Sequence, residues 1–458
     1  MLPQLRLVSR VVGFLTCIGA ALVHPALAAD EQEPAAVPVT AYTHVTLIDG
    51  TGGPAAPDVA IVVAGERIKA VQPMASFSRD ALGAAGRVVD LSGKFALPGL
   101  IDTHQHVGTQ GNRPTAEAQL YRMIYGGVTT VRDMAGDGRF LANLARAARL
   151  AELPSPDLCF SALMAGPSFF SDPRTHASAR GAVAGKVPWL QAITADTDMV
   201  IAVAMARGTG ASGIKIYANL PAAEVNRIVA EAHRQGFPVW AHAAIFPARP
   251  GDGIAAGIDS VSHAYMLGYE FNDLSGDAYQ ARAPIDRDRL NRDTTVLPAI
   301  FAEMRRRGTI LDATVQALLK ADQKAKPGAP KRGDIGVQVT RAAYRAGVAI
   351  SAGTDFEMPA DETCPALQLE METLVADVGM STSDVIRAAT SVAARALKLE
   401  AETGTVAPGK LANLVFVSRN PLDDIKAFRG VMLTVKRGRE YPRTDYRQPD
   451  ARILAEDY

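Results

Sequence analysis

Cysteine, tryptophan and histidine are scarce in this chain, at 3, 2 and 8 of 458 residues. So few cysteines exclude a disulfide framework and a zinc site built on sulfur. Cys17 lies in an apolar leader, which leaves Cys159 and Cys364 as two isolated thiols. An excess of either charge is also missing, with 48 basic and 48 acidic residues, so there is no electrostatic footprint for nucleic acid. A long hydrophobic run is absent too. The apolar stretch Val11 to Val23 is shorter than the roughly 20 residues a membrane span requires. Arg6 and Arg10 precede it, and Ala26-Leu27-Ala28 follows as an A-x-A cleavage pattern. Residues 1–29 therefore read as a secretory signal peptide, and the mature protein as secreted and periplasmic, with no stable membrane span.

Glycine (39) and proline (28) are plentiful, and they punctuate two textures. Strand-rich segments with Gly-containing turns occupy 30–95 and return in 404–458, as in 404-GTVAPGKLANLVFVSRNP-421. These two segments predict one small β-sandwich domain. Between them, residues 96–403 alternate short apolar strands with amphipathic stretches. Eight strands can be counted, at 97-LPGLIDTHQH, 128-VTTVRDM, 157-DLCFSALMAG, 213-GIKIYAN, 238-PVWAHAA, 260-SVSHAY, 309-TILDATV and 348-VAISAGTDF. In 221-PAAEVNRIVAEAHRQG-236 the residues Val225, Ile228, Val229 and Ala232 mark one helical face. The fold expected is α/β, a (β/α)8 TIM-like barrel carrying the small domain.

In such a barrel the chemistry sits at the C-terminal ends of the strands. His104 and His106 close the first strand, His242 the fifth, His263 the sixth and Asp355 the eighth; Lys215 stands in the fourth. Two histidines within three positions are conspicuous in a chain with so few. Alternation along a strand would place Asp102, His104 and His106 on one face, with Asp102 deeper and supporting. Imidazole nitrogen and carboxylate oxygen are ligands for a zinc-like divalent ion. Lys215 is the odd member, because an ammonium between Ile214 and Ile216 is costly to bury unless paired or neutralised. Carboxylation by carbon dioxide would turn it into an anionic bridging ligand.

The set 102-DTHQH-106, 215-KIY-217, 241-AH-242, 262-SH-263 and 354-TD-355 resembles the amidohydrolase superfamily. The likeness extends to 48-IDGTGG-53, 97-LPGLID-102, 126-GGVTTVRDM-134 and 404-GTVAPGKLANLVF-416, and is greatest to binuclear, prolidase-like members acting on Xaa-Pro-type amides. Asn413 departs from the Asp common in the family's closing motif, outside the site. The resemblance implies that His104 and His106 hold one divalent ion, most simply Zn2+, and that His242 and His263 hold the other. Carboxylated Lys215 and a hydroxide would bridge them, and Asp355 would bind the first ion and take the proton of the attacking water. Such a centre cleaves amide (carbon–nitrogen) bonds of dipeptide-like or N-acyl amino acid substrates.

Around the metals, Tyr217 and Tyr265 share a strand face with Lys215 and His263 and are expected to touch substrate, as is His176 in the loop after strand three. The remaining histidines have ordinary explanations: His24 leaves with the leader, His44 sits in the small domain and His233 on a solvated helix face. The partner expected is a small-molecule amide, and a homo-oligomer is compatible with this reading. One rival keeps the metals and cleaves a lactone or phosphotriester. Another is a non-catalytic periplasmic metal- or ligand-binding protein, against which an intact ligand set and Asp355 both count.

Overall fold

The computed structural model describes residues 38–455 apart from 275–278, 330 and 360. The leader expected over 1–29 lies outside the described residues. Five strands come first: β1 (Val39–Leu47), β2 (Ala56–Ala64), β3 (Arg67–Pro73), β4 (Arg87–Asp90) and β5 (Phe95–Pro98). The middle of the chain supplies β6 (Leu100–Gln105), β7 (Val128–Asp133), β8 (Asp157–Ala165), β9 (Lys186–Val187) and β10 (Leu190–Ala192). It continues with β11 (Gly213–Ile216), β12 (Val239–His242), β13 (Ser260–Ser262), β14 (Ile310–Asp312) and β15 (Ile350–Ser351). The end of the chain supplies β16 (Leu414–Val417), β17 (Val431–Lys436) and β18 (Arg439–Pro442).

The two terminal segments share one eight-stranded mixed sheet, ordered β18-β17-β16-β5-β1-β2-β3 with β4 beside β1. They are joined by antiparallel β5 and β16, paired from Phe95 with Val417 to Pro98 with Leu414. Alternating apolar residues form its core: Tyr42, Val45, Ile61, Leu414 and Phe416 are buried together. The Tyr42 and Phe416 rings lie 4.9 Å apart.

All eight segments read as barrel strands form strands, and all eight pair in parallel in chain order, β6-β7-β8-β11-β12-β13-β14-β15. The Thr103 amide donates to the Ala352 carbonyl at 3.1 Å, which brings the last strand back to the first. Strands covered on both faces can be apolar throughout, and their interiors are fully buried. The hairpin β9–β10 lies beside the end of β8. The helix expected after Pro221 runs Ala222–Arg234 and buries Val225, Ile228, Val229 and Ala232. No helix among the described residues is long and apolar enough to cross a membrane.

Candidate metal centre

The opening strand does not keep its alternation. The β6/β7 register shifts between Asp102 and Gln105, a bulge that turns Thr103 and His104 toward a common partner. That partner is Asp312 at the end of β14. Its Oδ1 accepts from the Thr103 hydroxyl at 2.8 Å, and its Oδ2 lies 2.7 Å from His104 Nδ1. Asp102 is released from the face that alternation assigns it. Its carboxylate accepts from the His104 amide at 3.0 Å, the Gln105 side chain at 2.7 Å and the Thr354 hydroxyl at 2.9 Å. It therefore braces the residue before Asp355 and is no member of the ligand set. Gly353 sits where the strands crowd: a Cβ there would stand 2.1 Å from Asp312 Oδ1 and 2.8 Å from the His104 Cβ, so only glycine fits.

Asp355 is held in the left-handed region at φ +55°, with its amide donating to the His104 carbonyl at 2.9 Å. Its Oδ1 lies 3.2 Å from His106 Nε2 and 3.5 Å from His104 Nε2; its Oδ2 lies 3.6 Å from His263 Nδ1. His104, His263 and Asp355 each bring one ligand atom within 4.8 Å of the others. His242 joins through its ring, 4.8 Å centre to centre from His263. Lys215 is fully buried, its Nζ 3.4 Å from the Ser262 hydroxyl, which donates to Asp312 at 2.8 Å.

The electrostatics suit cations. Burial disfavours the charge on Asp355, yet His104, His106 and His263 hold its carboxyl well below the usual range. Burial also pushes His104, His242 and His263 below the ordinary imidazole value, leaving neutral rings with free lone pairs. The same burial brings Lys215 down to about 7, against Asp312 and Asp355 and with help from Arg132. An amine so placed is readily neutral, which reaction with carbon dioxide requires. His242 Nδ1 is buried with no hydrogen-bond partner, as expected of a nitrogen that ligates. His104 has its second nitrogen on Asp312, the arrangement that fixes tautomer in metal-bound imidazoles. These residues fit a divalent metal.

Several contributors escape a reading of strand ends. Arg132 donates from Nε to the Thr103 carbonyl at 2.6 Å and from Nη2 to Asp312 at 3.3 Å, and its guanidinium stacks 4.6 Å from the Trp240 ring. Thr314 places its hydroxyl 2.9 Å from His263 Nδ1, and Glu370 accepts the next two amides, those of Val315 at 3.0 Å and Gln316 at 2.7 Å. The one available signal was a charge within an apolar strand, in 128-VTTVRDM and 309-TILDATV. Nothing local marks Thr314 or Glu370.

A cavity of about 540 Å³ opens on His106, His242, His263 and Asp355. Tyr217 and Tyr265 line it, whereas His176 does not. His176 lies exposed on the short helix Pro173–Ser178, and Arg174, Thr175 and Ser178 of that helix line the cavity instead. One helical turn separates these faces. The Tyr217 hydroxyl accepts from Tyr279 at 3.2 Å, and its ring centre is 4.0 Å from that of His242.

Residues 95–440 match the model of a family described as the Amidohydrolase family. No curated protein matches the chain by sequence. Among solved structures it is similar to a Xaa-Pro dipeptidase with methionine bound in its active site, at 24% identity and TM-score 0.69 over 88% of this chain and 100% of that one. It is similar to the ochratoxinase of A. niger, at 22% identity and TM-score 0.70 over 91% and 99%. A prolidase complexed with N-methylphosphonate-L-proline aligns at 20% identity and TM-score 0.65 over 88% and 99%. At these identities the likeness is one of fold.

Proposed function

Because the chain belongs to the amidohydrolase family, and is thereby a metal-dependent hydrolase of carbon–nitrogen bonds, we propose that it cleaves dipeptide-like or N-acyl amino acid amides at a binuclear centre. The observation that carries this reading is the meeting of five strand ends around Asp355, with a fully buried lysine among them. His104, His106, His242, His263 and Asp355 would hold two divalent ions, Zn2+ by ligand type, with Lys215 bridging as its carboxylate. When bound, such ions supply the positive charge that acidifies water and polarises the scissile carbonyl.

The protein's own groups divide the remaining work. Asp355, kept ionised, takes the proton of the attacking water and delivers it to the leaving nitrogen. Burial pushes the Tyr217 hydroxyl well above its ordinary value, so it stays a donor. Since it accepts from Tyr279, its own proton is free for the carbonyl oxygen as negative charge develops there. The aromatic walls exclude water. The names of the dipeptidase and the prolidase among the similar structures support the choice of amide. The arginine-led apolar leader ending in A-x-A supports a periplasmic enzyme, to be checked by the N-terminal sequence of the exported protein.

The test begins with metal analysis of the purified protein and of Lys215→Ala. We expect about two ions per chain, falling toward one in the variant; one ion in both would remove the bridge. A panel of Xaa-Pro dipeptides, N-acyl amino acids, lactones and organophosphates, with zinc and bicarbonate present, then assigns the bond. Turnover confined to lactones or phosphotriesters would overturn the amide reading.

A further inference from the structure

The cavity wall is basic on one side in a way the hydrolytic step does not use. Arg174, Arg282 and Arg332 all line it, against two carboxylates, Asp355 and Glu357. Each arginine stacks on a tyrosine of the same wall: Arg282 lies 4.6 Å from the Tyr279 ring centre, Arg332 5.7 Å from that of Tyr265 and Arg174 5.7 Å from that of Tyr217. Arg174 is already paired, with Asp172 at 2.8 Å. Arg282 and Arg332 are different. Both are half-buried, and neither forms an ion pair with a carboxylate among the described residues. The Asp322 carboxylate beside Arg332 is occupied by the backbone amides of Arg332 and Gly333, at 2.8 and 2.7 Å. Arg282 spends a donor on the Tyr279 carbonyl and otherwise faces the Tyr265, Tyr269 and Tyr279 hydroxyls.

Both guanidinium groups act on one atom. Burial pushes the Tyr265 hydroxyl above its ordinary value, and the charges of Arg282 and Arg332 pull it back. Tyr265 follows His263 by two residues, so this pair of cations adjoins the metal-binding edge. Two half-buried guanidinium groups without an anion are costly, and they offer the planar donor fork that fits a carboxylate.

We infer that Arg282 and Arg332, with the Tyr265 hydroxyl between them, form a carboxylate-binding subsite that selects substrates whose leaving amino acid has a free α-carboxylate. This rests on the amide-hydrolase reading above and narrows it. The enzyme removes a C-terminal residue and rejects the corresponding amide or ester. Arg282 and Arg332 are specificity residues here and take no part in proton transfer.

The test pairs glycyl-L-proline with glycyl-L-prolinamide, which share a scissile bond and differ only in charge. The metal-loaded wild type should prefer the acid roughly 10- to 100-fold in kcat/KM, mainly through KM. In Arg282→Gln and Arg332→Gln that ratio should collapse toward one, and Arg282→Lys should restore part of it. A structural role alone would lower both substrates equally and leave the ratio standing, which would overturn the proposal. A second arm needs no turnover: N-acetyl-L-proline should raise the Tm of the metal-loaded wild type, N-acetyl-L-prolinamide should not, and the Gln variants should respond to neither. Equal shifts from acid and amide would overturn the subsite even if the enzyme is active. Failure to cleave any amide, with the acid-specific shift intact, would instead sink the amide reading and leave the subsite standing.

Discussion

The terminal sheet and the barrel rim are built from the same chain by opposite rules. The sheet buries apolar side chains on a regular alternation, and its core of Tyr42, Val45, Ile61, Leu414 and Phe416 needs no polar partner. The rim buries Asp102, Arg132, Asp133, Lys215 and Asp312, all essentially without solvent contact. Each of these is costly in isolation and is retained only through a partner. At the rim, strand register bends to serve the partners, as the β6 bulge shows; in the sheet, partners follow the register. Loss of a sheet residue should therefore be felt as stability, and loss of a rim residue as chemistry.

Four substitutions would break or sharpen that contrast. Asp355→Asn, at the rim, should lower kcat/KM by about 10²–10⁴-fold while circular dichroism and metal content change little. Turnover within a few fold of wild type would mean another base acts. Asp312→Asn should blur the contrast, because Asp312 serves both roles. It orients His104 and neutralises Arg132, so metal affinity should fall about 10- to 100-fold and stability by about 3–5 kcal/mol. Equilibrium dialysis and urea unfolding measure the two losses separately.

Phe416→Ala, in the sheet core, should cost about 3–5 kcal/mol in unfolding and leave kcat/KM of the folded, metal-loaded enzyme unchanged. A matching loss of activity would show that the two regions are coupled. The most graded effect belongs to Glu370, whose carboxyl burial raises from 4.5 to about 8. Between those values the native protein keeps a proton that the unfolded chain has released. The stability from the neutral group is complete below about 4.5 and is lost as pH rises toward 8, by up to about 1.4 kcal/mol per pH unit. Glu370→Gln should flatten this slope in urea midpoints taken at pH 5, 6.5 and 8, at the cost of one amide contact to Val315 or Gln316.

Much of the site was legible because its ligands are rare residues at strand ends. His104, His106, His242, His263 and Asp355 stand out from composition and position alone, and the barrel count orders them in space. Asp312 and Arg132 were less visible. Their charges lie inside apolar strands where no local rule assigns a partner, and the partner of each is about 180 residues or more away, Asp312 for Arg132 and His104 for Asp312. His176 shows the opposite error. A histidine in a loop beside the cavity suggested a contact, and a single turn of helix directs it to solvent while Arg174 takes the wall.

Hydrophobic periodicity and strand spacing by themselves determined the barrel, the pairing of the two terminal segments and the identity of the cation-binding residues, since these depend on neighbours one or two turns away. Only the closed tertiary structure decided which carboxylate holds His104, why Asp102 turns aside and which arginines face the cavity without an acid. Those choices depend on side chains meeting across the barrel at 3 Å, and a linear pattern contains no term for distances set by closure.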